Sequence, residues 1–183
     1  SCATGGAAGG DRALFNGVNR TLDNDGVATV KSGFGVAKFT NFKTVGSAGH
    51  DATFPDADFF LMRAAEAYLN FAEADARING GQTTKEGTEA INAIRKRANA
   101  SPREDKGYSL NDICDEWSRE FYFEGRRRMD LIRFNRFGGN VNYNWQWKGG
   151  TKEGRNFSKD LNIFAIPTNE LTSNKNLIQN PGY

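Results

Sequence analysis

The spacing of apolar residues changes at about residue 55 and again at about residue 138, and the central region is the most regular. Over 109–137, Leu110, Ile113, Cys114, Trp117 and Phe121 return every three or four positions, which on a helix makes one apolar stripe that must bury. Glu116, Arg119, Glu120, Glu124, Arg127, Arg128, Asp130 and Arg133 surround it. The glutamates at 116, 120 and 124 stack one turn apart and would repel one another without the arginines beside them. Ser109, with Asp112 three residues on, suits the N-cap. Gly125 interrupts the run of helix formers and predicts a bend, after which Met129, Ile132 and Arg133 continue at an angle.

Upstream, Pro55 with Asp56 and Asp58 predicts the start of a long helix over 57–79, acids being favoured at the positive end of the helix dipole. Phe60, Ala64, Ala67, Phe71 and Ala74 form one apolar row, and Leu61, Ala65, Tyr68 and Ala72 a second. Arg63, Glu66, Asn70, Glu73 and Arg77 fill the polar strip. Asn79-Gly80-Gly81 ends this helix, Thr83 and Glu86 have the form of a capping box for the next, and Ala90, Ile91, Ile94 and Ala98 supply its buried stripe up to Ser101-Pro102. The result is a hairpin over about 57–99, the size of one tetratricopeptide unit. Such units need about three repeats to bury a continuous core, so a single hairpin leaves apolar surface open.

The flanks are less regular. Residues 1–10 are Gly/Ala-rich, and 11–43 alternates short apolar groups with turn signals, predicting loops and one or two short strands. Asp23-Asn24-Asp25-Gly26 reads as a turn, because an EF-hand counted from Asp23 would need a glutamate where Phe34 stands. Gly33-Phe34-Gly35 lacks the third glycine of a dinucleotide fingerprint and reads as strand, and His50, the single histidine, as a loop residue. Residues 141–148 predict an extended segment with Val141, Tyr143, Trp145 and Trp147 on one side and Asn142, Asn144 and Gln146 on the other. That aromatic side can stack on sugar rings or pack on the helices; the amides on the opposite side place the main ligand site elsewhere in the protein. A short strand at 163–166, stopped by Pro167, one helical turn from Thr168, and a turn-rich tail complete the chain.

The fold class is therefore mainly α: a tetratricopeptide-like helical hairpin plus a bent helix over about 109–137, with long irregular loops and a few short strands. The organisation is 1–55 loop-rich, 56–137 helical, and 138–183 an extended aromatic segment and tail.

Composition narrows the function. The 183 residues are 38% hydrophobic and 12% aromatic with a formal net charge of +2, too near neutral for a nucleic-acid binder acting through a strong basic field. No apolar run reaches the roughly 18 residues of a membrane span, and no signal peptide stands at the start. Cys2 and Cys114 form neither a disulfide framework nor a metal-ligand spacing, and no motif implies a cofactor. Carboxylates one helical turn apart approach the separation used by glycosidases. The neighbouring arginines, however, favour the ionised form and leave no acid to donate a proton. The charged residues Arg63, Glu66, Glu73, Glu120, Glu124, Arg127, Asp130 and Arg133 are accordingly read as a structural ion network that ties helices together, with no catalytic residue among them.

Several stretches together resemble the SusD/RagB family, the surface glycan-binding lipoproteins of Bacteroidetes. The stretch from Glu116 to Arg133 is similar to that family's E-R-x-x-E-F-x-x-E-G-x-R-x-x-D-L-x-R signature, with Trp117 in place of the arginine after the first glutamate. Residues 60–74 are similar to its R-x-A-E-x-Y-L-x-x-A-E-A helix, and 91–98 to its I-N-x-x-R-x-R-A helix. Phe164-Ala165-Ile166-Pro167 and Gln179-Asn180-Pro181-Gly182-Tyr183 resemble its closing pattern, with Ala165 where a proline is usual. The resemblance implies a non-enzymatic, lipid-anchored protein of the outer membrane that binds oligo- or polysaccharide and serves as a lid on a SusC-like TonB-dependent transporter. It also implies that this chain is the C-terminal portion of a larger domain. Cys2 has no apolar lipobox before it and is a poor lipidation site. Within the chain, Tyr143, Trp145 and Trp147 are the glycan-binding candidates. The competing readings are an intracellular helical-repeat adaptor for a peptide or protein partner and, third, a glycosidase.

Overall fold

The computed structural model describes residues 15–21, 31–39, 41–43, 46–51, 53–139 and 143–183. Cys2, the turn predicted at 23–26, Val141 and Asn142 lie outside them. The chain forms two compact units, 1–107 and 108–183, so the division falls inside the helical region expected over 56–137. Both units are mainly helical, with a single two-stranded sheet among the described residues.

In the first unit, β1 (Phe15–Asn16) pairs antiparallel with β2 (Gly35–Val36), Phe15 opposite Val36. The hairpin follows as α1 (Ala64–Ile78) and α2 (Lys85–Arg97). Helix α1 begins seven residues later than the predicted start at 57, with Arg63 extended before it (φ −151°, ψ 158°). Asp56, expected in the first turn, is engaged by the preceding loop instead: its carboxylate accepts from His50 N (2.7 Å), and its own N–H donates to Asn41 Oδ1 (3.0 Å). Leu61 and Met62 are 86% and 85% exposed, so no burial offsets the cost of extending the helix backwards.

The buried face of α1 is Leu69, Ala72, Glu73 and Ala76. Only Ala72 belongs to the two predicted apolar rows, and Glu73 comes from the predicted polar strip. Helix α2 buries Ala90, Ile91 and Ile94 as its pattern predicts. Its N-cap is Thr84 and not Thr83. The Asp75 carboxylate accepts from Thr84 N (2.7 Å) and Thr84 Oγ1 (2.9 Å), which puts a negative charge from the last turn of α1 on the positive end of α2. A Cβ on Gly87 would run into that carboxylate, so a residue without a side chain is required there.

In the second unit, α3 (Leu110–Glu120) opens with a complete capping box: Ser109 Oγ accepts from Asp112 N (3.2 Å), and the Asp112 carboxylate accepts from Ser109 N (2.9 Å). It buries Ile113, Cys114, Glu116, Trp117 and Glu120. The predicted bend is a full break over 121–126, where Gly125 takes φ 75°, a conformation that a residue with a Cβ adopts only at a cost. Helix α4 (Arg127–Arg133) then buries Asp130 and Leu131. After two 3₁₀ turns, Lys148–Gly150 and Lys159–Asn162, comes α5 (Thr168–Ser173), directly behind Pro167 as predicted.

The strand expected at 163–166 does not form; side chains of the C-terminal tail satisfy its backbone instead. Gln179 accepts from Ile166 N through Oε1 (2.8 Å) and donates to Ile166 O through Nε2 (3.0 Å). Asn180 Nδ2 donates to Phe164 O (2.8 Å) and Tyr183 Oη to Ile163 O (2.8 Å). Two amides and a phenol thus replace a neighbouring strand.

Two outcomes are expected. Phe60, Leu61, Phe71 and Tyr68 are exposed, and Tyr68 and Phe71 line a cleft of about 430 Å³ together with Ala67, Ala90 and the glutamates Glu86 and Glu89. The isolated chain should therefore bind a hydrophobic dye or self-associate; a dye-silent monomer with a sharp melt in sedimentation and calorimetry would contradict this. Ser109→Ala should lower stability by about 1 kcal/mol, read from denaturant melts, because the first turn of α3 loses its cap; an unchanged midpoint would show that the cap is dispensable.

Candidate functional site

The predicted ion network is divided between the units: Arg63, Glu66 and Glu73 belong to the first, and Glu120, Glu124, Arg127, Asp130 and Arg133 to the second. The salt bridges of Glu73, Glu116 and Asp130 are short-range pairs that take a carboxylate into a helix face. Glu73 meets Arg77 (2.8 Å), and Glu116 meets Arg119 (2.7 Å). Asp130, 1% exposed, meets Arg133 (3.0 Å) and Arg126 (3.5 Å). Arg126 lies over the rings of Trp117 (4.2 Å) and Phe121 (4.6 Å), and Arg133 over Trp117 (5.2 Å), so cation and aromatic are packed together.

Arg127 reaches uncharged partners. Its Nη1 donates to Cys114 O (2.9 Å) and its Nη2 to Tyr143 Oη (2.9 Å), joining α3 and α4 to the first aromatic of the candidate glycan site. Cys114 is fully buried, and burial pushes its thiol above the usual range, partly offset by Arg127 and Arg136, so it is a packing residue with little thiolate character.

Over its described residues, 143–148, the aromatic segment is not the extended strand expected for 141–148. Trp147 is left-handed (φ 66°), Gly149 and Gly150 also have positive φ, and the chain doubles back. Trp147 N donates to Lys152 O (3.3 Å), and Arg155 N to Lys148 O (2.9 Å). Gly149-Gly150 was the turn signal in the sequence. The alternation expected along the segment is therefore broken at Trp147.

What forms is a small aromatic ledge. The rings of Tyr143 and Trp145 meet edge to face, 6.2 Å apart at 65°, and the Arg136 guanidinium lies 4.7 Å from the Tyr143 centroid. Trp145 and Trp147 remain 39% and 38% exposed, in contrast to Trp117, which is fully buried. A half-exposed indole held by a fixed neighbour offers an apolar surface at little cost in conformational freedom, the property needed to stack on the C–H face of a sugar ring. Beneath the ledge lies Lys148, which sequence reasoning missed because it stood at the end of a supposed strand. It is 2% exposed, and its Nζ donates to Tyr143 O (2.7 Å), Asn156 Oδ1 (3.3 Å) and Arg136 O (3.4 Å). Burial lowers its pKa below the usual lysine range.

The family model of the SusD family matches residues 7–183. The chain belongs to the SusD family. It is 42% identical over 181 residues to the starch-binding protein SusD of Bacteroides thetaiotaomicron, a match covering 97% of this chain and 32% of that protein. Among solved structures it is similar to a laminarin-binding SusD-like protein (26% identity, TM-score 0.54, 82% of this chain and 29% of that one). It is also similar to surface glycan-binding protein A from Bacteroides uniformis (28% identity, TM-score 0.53, 67% and 27%). The chain spans about a third of the length of these relatives. Among the described residues, no helix is long and apolar enough to cross a membrane, and no group of three His, Cys, Asp or Glu is placed to hold a metal ion.

Asp130→Asn should destabilise the protein by about 3 kcal/mol, because Arg126 and Arg133 keep their charges after losing their shared carboxylate. Equal melting of variant and parent would contradict a structural role for this cluster.

Proposed function

We propose that this chain belongs to a non-catalytic glycan-binding protein of the bacterial cell surface, held to the outer membrane by a lipid anchor in the full-length protein. It passes oligo- or polysaccharide to a SusC-like TonB-dependent transporter. The observation that carries the binding part is the coincidence of two features in one unit: family relatives whose names record starch, laminarin and glycan binding, and an aromatic ledge at Tyr143, Trp145 and Trp147 with two half-exposed indoles.

The carboxylates support binding over hydrolysis. Glu116 is committed to Arg119, and Asp130 to Arg126 and Arg133, so these carboxylates are engaged as ion-pair partners on their own helices. Arg63, Glu66, Glu73, Glu120, Glu124, Arg127 and Arg133 then serve the scaffold together with Asp130. Family membership supports the surface binder over the intracellular adaptor.

Calorimetry and affinity electrophoresis against starch, laminarin and unrelated glycans, with reducing-end assays alongside, test this. Binding without sugar release is expected. Trp145→Ala combined with Trp147→Ala should weaken it by about tenfold, roughly 1.4 kcal/mol, with an unchanged melt. Release of reducing ends would place the protein among the glycosidases, and undiminished affinity of the double variant would place the site away from the ledge.

A further inference from the structure

Lys148 is a buried cation that no carboxylate accompanies among the described residues. Its ammonium makes its hydrogen bonds to oxygens from three separate stretches of chain: Arg136 O, Tyr143 O and Asn156 Oδ1. It also lies 4.8 Å from the Trp145 ring centroid and 5.0 Å from that of Phe157. The charged and titratable groups around it are Arg136, whose guanidinium covers Tyr143, Tyr143 itself, Arg155, and the exposed Lys152 and Glu153 of the turn that folds back over it.

Burying an ammonium against neutral oxygens alone is unfavourable compared with filling the same space with methionine, so hydrophobic packing does not account for a lysine here. The ammonium supplies three donors at one point. Among the described residues next to Tyr143 no strand or helix orders the chain, and the backbone over 147–150 is held by a left-handed tryptophan and two glycines with positive φ. A single donor group reaching 136, 143 and 156 cross-links these stretches, and its charge holds the Trp145 ring by cation–π attraction.

We propose that Lys148 is a positioning residue for the aromatic ledge, its ammonium fixing the main chain at Tyr143 and the orientation of Trp145. Its part in glycan recognition rests on the reading of the ledge given above. Its part in ordering Trp145 does not.

The full chain is titrated with base while tryptophan fluorescence and near-ultraviolet dichroism are followed, together with Lys148→Met and Trp145→Phe, and glycan affinity is measured for each. Because burial disfavours the charged form, the parent should show a step in the tryptophan signal below the ordinary lysine value of about 10.4, read after subtracting the change that tracks tyrosinate absorbance, since tyrosines ionise at about 10. The step should be absent from both variants while far-ultraviolet dichroism stays helical. Lys148→Met should bind starch or laminarin about tenfold more weakly through loss of the fixed indole. A step that survives in Lys148→Met, or a Lys148→Met protein with parental near-ultraviolet signal and affinity, overturns the proposal. If Lys148→Met does not fold, the parent and Trp145→Phe decide: a step shared by both, or by neither, overturns it. A parent that binds no glycan but shows the Lys148-dependent step refutes the glycan reading of the ledge and supports the positioning role.

Discussion

A carboxylate can be buried on a helix only if a compensating cation stays within reach, and this constraint recurs in both units. Glu73, Glu116 and Asp130 are buried on helices, and each is met by an arginine three or four residues away: Arg77, Arg119, and Arg126 with Arg133. The helix supplies the geometry, since residues at those spacings lie on one face. In the second unit the arginines also lie over Trp117 and Phe121, so the ion pairs and the apolar core form one packed cluster. Such clusters are worth less than their contact lists suggest when formed, and cost much when half of one is removed.

That constraint also explains which parts of the fold were legible in the sequence. Ser109 with Asp112, the stripe Ile113, Cys114 and Trp117, the interruption at Gly125, and the stripe Ala90, Ile91 and Ile94 are local signals, and the structure follows them. The buried face of α1 was misread because periodicity assigns a glutamate to solvent, whereas Glu73, paired with a partly exposed Arg77, is buried on α1 together with Leu69 and Ala76. The start of α1 was misread because Asp56 is claimed by Asn41 and His50, a contact that depends on a loop and not on helical spacing. At 163–166 the apolar run suggested a strand, but its partner is the side-chain amide of Gln179, which no strand pattern encodes.

The ledge shows the same division. Its aromatic residues were visible as a run of tyrosine and tryptophan, while its shape was not, because alternation along a strand was assumed where a left-handed Trp147 and the 3₁₀ turn at Lys148–Gly150 fold the chain back. The pieces that hold the ledge come from a distance: Arg127 from α4 to the Tyr143 hydroxyl, and Asn156 to Lys148. Membership of the SusD family supplies a context in which exposed indoles have a use, and the half-burial of Trp145 and Trp147, against the complete burial of Trp117, separates two tryptophans available to a ligand from one committed to the core.

Those three tryptophans allow the most direct test of the claim that the ledge binds glycan. Their three indole N–H resonances can be followed by nuclear magnetic resonance as starch or laminarin oligosaccharide is added, with Trp117 as the internal control. The account predicts saturable shifts at Trp145 and Trp147 and none at Trp117. Saturable glycan binding that leaves Trp145 and Trp147 unmoved would contradict it.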